Sequence, residues 1–100
     1  MASNYNVVIT EPAKQDIDEI FGYIYNVLCA PNAAERVVVR IYKSISNLEL
    51  FPRQYPKLGY SDIEYRKLSV ENFVVIYRID DEKGIVYVVR VFDARTNYSI

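Results

Sequence analysis

Two runs near the C-terminal end of the chain, Phe73-Val-Val-Ile-Tyr77-Arg78-Ile79 and Ile85-Val-Tyr87-Val-Val-Arg90-Val91-Phe92, limit the possible folds more than any other feature. Both are dense in β-branched and aromatic residues, and only Asp80-Asp81-Glu82-Lys83-Gly84 separates them. That linker predicts an antiparallel hairpin, with the glycine at the left-handed position of a three-residue loop. Pairing Asp81 with Ile85 sets Ile79 opposite Tyr87, Tyr77 opposite Val89 and Val75 opposite Val91. Side chains alternate along a strand, so these residues and Phe73 form one wholly apolar face, which something must cover. The other face then carries Val74, Ile76, Arg78, Val86, Val88, Arg90 and Phe92. Its mixture of arginines and hydrophobic groups suits a charged or amphipathic partner.

The cover for the apolar face lies upstream. Tyr5 to Thr10 predicts a short strand, after which Thr10 caps a helix whose first turn accepts Pro12 without losing a hydrogen bond. Ile17, Ile20, Phe21, Ile24, Val27 and Leu28 recur at helical spacing, with Asp16, Asp18 and Glu19 near the positive end of the helix dipole. Ala30-Pro31-Asn32 interrupts the pattern, and Asn32 is the expected cap of a second helix with Val37, Ile41, Ile45 and Leu48 on its stripe. Phe51-Pro52 ends it, since a residue before proline avoids helical geometry. Two amphipathic helices with a short break make an antiparallel hairpin. Residues 53–62 read as a loop, and Glu64 to Val70 as one more strand, joined to Phe73 by a tight turn at Glu71-Asn72. Leu68 and Val70 should face the helices, which sends Tyr65, Lys67 and Ser69 to the other side beside Arg78 and Arg90. The expected fold is α+β: an N-terminal strand, a helical hairpin and a three-stranded antiparallel meander, with the helices on one face of a single sheet.

One hundred residues suit one domain spanning 1–100. The net charge of −1 argues against a protein that grips nucleic acid by bulk charge. The chain has no histidine, which removes the usual general base and the commonest metal ligand, so no metal or cofactor is expected. Cys29 is the only cysteine and reads as a small hydrophobic residue at a helix end rather than a nucleophile. No basic-then-apolar leader and no membrane-length apolar run occur, so the expected location is the cytoplasm, away from membranes.

Several segments, in this order and spacing, resemble the RelE/ParE superfamily of toxins from type II toxin–antitoxin systems, the plasmid-stabilising addiction modules. Thr10-Glu11-Pro12-Ala13-Lys14-Gln15-Asp16-Ile17 resembles the start of the family's first helix. Ala30-Pro31-Asn32-Ala33-Ala34-Glu35-Arg36 resembles the joint between its helices, and Leu50-Phe51-Pro52 the end of the second. Tyr65-Arg66-Lys67-Leu68, Val75-Ile76-Tyr77-Arg78-Ile79 and Val88-Val89-Arg90-Val91 resemble its sheet.

The resemblance implies a cytoplasmic growth-inhibiting toxin held inactive by a cognate antitoxin, with either DNA gyrase or ribosome-bound mRNA as target. A metal-independent mRNA endoribonuclease of this family would use Lys67, Arg78, Arg90, Arg95 and Tyr98 to activate the 2′-hydroxyl and stabilise the phosphorane-like transition state. The antitoxin would bind Tyr65, Arg78, Val86, Val88, Arg90 and Phe92. Two departures matter: Val74 stands where the ribonuclease branch carries an arginine, and Asp93 where many members carry a histidine. Together with the long helical hairpin they lean toward the gyrase-directed, ParE-like branch. A toxin fold that has lost its chemistry and persists as a binding module or co-repressor is the third reading.

Overall fold

Thr10 joins the first strand to the first helix with one hydroxyl. Its backbone is extended (φ −68°, ψ 161°), and its Oγ1 accepts the Ala13 N–H at 3.4 Å, which caps the helix as expected. The same hydroxyl lies 2.9 Å from the Val88 carbonyl and 3.2 Å from that of Val89, sharing its proton between them. The computed structural model describes residues 4–59 and 62–95. Strand β1 (Asn6–Ile9) leads into helix α1 (Glu11–Gly22), which runs on as a π-helical turn over Tyr23–Val27. Helix α2 (Pro31–Ser46) closes with a 3₁₀ turn at Asn47–Glu49. Strands β2 (Tyr65–Val70), β3 (Phe73–Asp80) and β4 (Ile85–Asp93) follow.

The sheet order is β1-β4-β3-β2, with β1 parallel to β4 and the remaining pairs antiparallel. The predicted helix stripes supply most of the helical side of the core, although Val27 and Leu28, expected on the first stripe, are exposed. Ala13, Ile17, Ile24, Ala34, Val37, Ile41 and Ile45 pack on Leu68, Val70, Val75, Tyr77 and Ile79. Asn32 does not cap α2: the helix begins at Pro31, with Ala30 before it and no side-chain cap. Cys29 turns the chain through a left-handed residue (φ 52°), and the Ala30 N–H returns to the Ile24 carbonyl, which closes the end of the preceding helix.

The hairpin register differs from the expected one. Asp80, not Asp81, pairs with Ile85, which leaves a four-residue loop at 81–84 with Gly84 at φ 66°. The Asp80 carboxylate accepts the Lys83 N–H at 3.2 Å and holds the wider turn. A one-residue change in the pairing turns a strand over. Ile79 therefore faces Val86, Tyr77 faces Val88, and Tyr87 sits beside Arg78. Val86 and Val88, expected on the partner-binding face, are fully buried under the helices, and Tyr87 takes their place outside. A bulge at Val89 then restores the expected pairing of Val75 with Val91. Either register leaves an apolar row on the core side, because Val86 to Val89 are hydrophobic on both parities.

These placements separate two adjacent valines. Val88→Asp should prevent folding, since an unpaired buried carboxylate costs several kcal/mol and a domain of this size has about 5–15 to lose. Val89→Asp, at the half-exposed bulge, should remain soluble and melt cooperatively. Thermal denaturation followed by circular dichroism distinguishes them; the reverse outcome restores the three-residue loop.

Candidate functional site

The sheet face turned away from the helices carries two cross-strand rows. In the first, Val8, Tyr87, Arg78 and Tyr65 stand side by side on β1, β4, β3 and β2. The Arg78 guanidinium lies 4.1 Å from the centre of the Tyr87 ring, a cation–π contact. In the second row, Ile76 separates Lys67 from Arg90. Val74 and Ile76 form a buried apolar middle to this face. Among the described residues, neither Lys67 nor Arg78 is within ion-pairing distance of a carboxylate.

Arg90 and Arg95 are held differently. Strand β1 ends opposite Val88, which leaves the next stretch of the β4 edge without a neighbour strand. Asp16, on α1, fills that gap: its carboxylate accepts the Val91 N–H at 2.8 Å and two bonds from Arg90, Nε at 2.8 Å and Nη2 at 3.1 Å. Donating these bonds to Asp16 raises the arginine's affinity for its proton. The Arg90 guanidinium also lies 4.8 Å from the Phe92 ring centre. Arg95 binds Asp93 through Nε at 3.0 Å, Nη2 at 2.7 Å and its own N–H at 2.9 Å. The side-chain bond, then the backbone bond, hold the Asp93 carboxyl down at about 2. Tyr98 lies outside the described residues. Of the proposed chemical set, Lys67 and Arg78 thus stand on this face without a counter-ion among the described residues.

Two further features had no single sequence signal. One is a groove of about 630 Å³ between the helical hairpin and the end of the sheet, lined in part by Ile20, Tyr23, Leu28, Phe73 and Val91. Tyr23 and Leu28 are 54 % and 55 % exposed at its mouth, carried there by the π-helical turn. The other is a polar clamp on the loop before β2. Arg53 bonds Glu64 through Nε and Nη2, both at 3.1 Å, and Asp81 through Nη2 at 2.6 Å. Arg66 is buried and bonds Glu64 and the carbonyls of Arg53 and Tyr55. The Tyr77 hydroxyl donates to the Pro52 carbonyl, and burial pushes this phenol above its ordinary range. Burial would also raise Glu64, but bonds from Arg53 and Arg66 outweigh it, and Arg53 likewise lowers Asp81. Among the described residues no group of acidic or cysteine side chains could hold a metal, and no helix is long and apolar enough to cross a membrane.

Comparisons with known proteins agree with this architecture. Residues 7–98 match the family described as the ParE toxin of the type II toxin–antitoxin system parDE. No curated protein matches the chain. Among solved structures, a chromosomal ParDE system from Pseudomonas aeruginosa superposes with a TM-score of 0.76 at 20 % identity, covering 91 % of this chain and 97 % of that one. The archaeal RelE–RelB complex from Pyrococcus horikoshii gives a TM-score of 0.66 at 16 % identity, with 94 % and 99 % covered. The RelBE2 complex of Mycobacterium tuberculosis gives 0.63 at 21 %, with 92 % and 94 % covered. At these identities the superpositions establish the shared fold.

The clamp makes stability depend on acid pH in a definite direction. Glu64 and Asp81 sit below their ordinary values in the folded protein, so their contribution is present above the unfolded values and is lost as pH falls through the folded ones. Arg53→Ala should therefore move the midpoint of acid unfolding to higher pH, measured by circular dichroism. An unchanged midpoint would show that the clamp does not couple to folding.

Proposed function

The chain belongs to the ParE toxin family of type II toxin–antitoxin systems, and on that premise we propose that it arrests growth in the cytoplasm by acting on DNA gyrase and is neutralised by a cognate antitoxin. The antitoxin follows from the family and from the solved relatives, which include a ParDE system and RelB-bound RelE-type toxins.

The observation that favours gyrase over mRNA is the state of the arginines. Cutting RNA through the 2′-hydroxyl needs uncompensated positive charge around the phosphate, because pre-placed charge supplies much of the rate. Here Arg90 is committed to Asp16 and Arg95 to Asp93, while Val74 offers no cation at all. Two carboxylates beside a scissile phosphate would oppose its binding. The mRNA endoribonuclease reading rests on Lys67 and Arg78, which lie beside Tyr65 and Tyr87 and have no carboxylate within ion-pairing distance among the described residues.

Induced expression of the chain, with and without the neighbouring reading frame, tests the proposal. Growth should stop without the neighbour and continue with it. Purified protein should inhibit gyrase supercoiling while total mRNA stays intact. Ribosome-dependent cleavage that disappears in Lys67→Ala, with a loss of about 100- to 1,000-fold, would transfer the protein to the ribonuclease reading. No arrest at verified expression would leave the non-catalytic co-repressor.

A further inference from the structure

Strand β2 lies at the edge of the sheet, with β3 on one side. Its backbone groups that point away from β3 belong to Tyr65, Lys67 and Ser69, because alternate residues bond to alternate sides. An edge of this kind pairs with another chain unless something covers it. Residues 52–58 supply the cover. The Leu58 N–H donates to the Tyr65 carbonyl at 2.8 Å and the Lys67 N–H to the Pro56 carbonyl at 3.1 Å, around the pair Lys57 and Arg66. The cover stops short of Ser69, which is exposed and whose N–H has no backbone partner among the described residues.

Two hydrogen bonds hold a segment weakly, and side chains tie down its first half. From beneath, the Tyr77 hydroxyl donates to the Pro52 carbonyl, and Arg66 Nη1 donates to the carbonyls of Tyr55 at 2.6 Å and Arg53 at 3.3 Å. From outside, Arg53 reaches Glu64 and Asp81, and its Nη1 donates to the Tyr5 hydroxyl at 3.2 Å. That hydroxyl donates in turn to Asp81 at 2.9 Å. The inner ties are buried, whereas the Arg53 and Asp81 side chains are 41 % and 60 % exposed. The outer tie is therefore the one that opens without breaking the core.

We propose that residues 52–58 are a strap that closes the β2 edge, that Arg53 is its latch, and that release of the latch opens β2 to antiparallel pairing with β2 of a second copy of this chain. The charges suit that occupant. A pair of β2 strands centred on Leu68 sets Lys67 opposite Ser69 and Arg66 opposite Val70, so no like charges meet. Lys67 and Ser69 then exchange their outward backbone bonds, and Leu68 meets its own copy on the core side. The register centred on Lys67 opposes two lysines and is disfavoured. Two copies joined at Leu68 share one continuous sheet.

Hydrogen exchange and sedimentation velocity on the full-length purified chain test this. Wild type should be monomeric. In Arg53→Ala the Leu58 and Lys67 amides should exchange at least about tenfold faster, a larger change than at the amides of β3 and β4. The same variant should form a dimer as its concentration rises. Adding Ser69→Pro, which removes an outward N–H at an edge position where proline is tolerated, should return it to monomer. If Arg53→Ala does not fold, Asp81→Asn removes one arm of the latch and should show the same changes in smaller measure. The proposal is overturned if the Lys67 amide keeps pace with those of β3 and β4, or if the latch variants stay monomeric. A dimer that survives Ser69→Pro uses another surface and overturns it equally, as does a wild-type dimer whose strap amides remain protected.

Discussion

The stretch of β4 where β1 departs holds the molecule together, and one carboxylate manages it. A strand edge that loses its neighbour exposes backbone donors that either find a partner or invite another chain. Thr10 takes the carbonyls of Val88 and Val89, and Asp16 takes the Val91 N–H, so the first turns of α1 continue the role of β1. The Val89 bulge falls within this stretch, where the strand changes the face that its residues present. The same contacts fix the angle at which α1 leaves the sheet, and with it the groove between the hairpin and β4.

That arrangement has an electrostatic consequence. Asp16 serves the backbone and Arg90 together, so the arginine is drawn to the sheet edge and compensated there. Arg90 is still 44 % exposed on its side chain, so the pair is worth little to stability in water. Its weight lies in what it removes: a guanidinium bound bidentately to a carboxylate is a poor receptor for a phosphate. Asp93 does the same to Arg95. Among the described residues, a face that is rich in cations by composition thus retains Lys67 and Arg78 without a carboxylate partner, beside tyrosines and a buried apolar middle.

The hairpin end of the molecule follows a different logic. The π-helical turn at Tyr23–Val27 and the left-handed Cys29 place Tyr23 and Leu28 outward at the groove mouth, although Leu28 belongs to an apolar stripe that would otherwise lie on the core. Exposed hydrophobic side chains beside a concave surface are the ordinary mark of a docking site.

Read alone, the chain determined the elements and the layer architecture. Helical spacing at Ile17, Ile24, Val37, Ile41 and Ile45, the Thr10 cap with Pro12, and the turn at Glu71-Asn72 are local properties, and local physics reproduces them in the folded protein. The family was legible in the order of those segments. Tertiary structure alone decided which face Val86, Tyr87 and Val88 occupy, because four consecutive hydrophobic residues satisfy either pleat and the choice fell to a loop bond from Asp80 and a bulge at Val89. It also decided the partners of the charges. Asp16 and Arg90 are 74 residues apart in the chain, and Arg53 and Asp81 are 28 apart. No periodicity encodes such pairings, since they depend on where α1 crosses the sheet edge and how the loop after α2 lies against the β3–β4 turn.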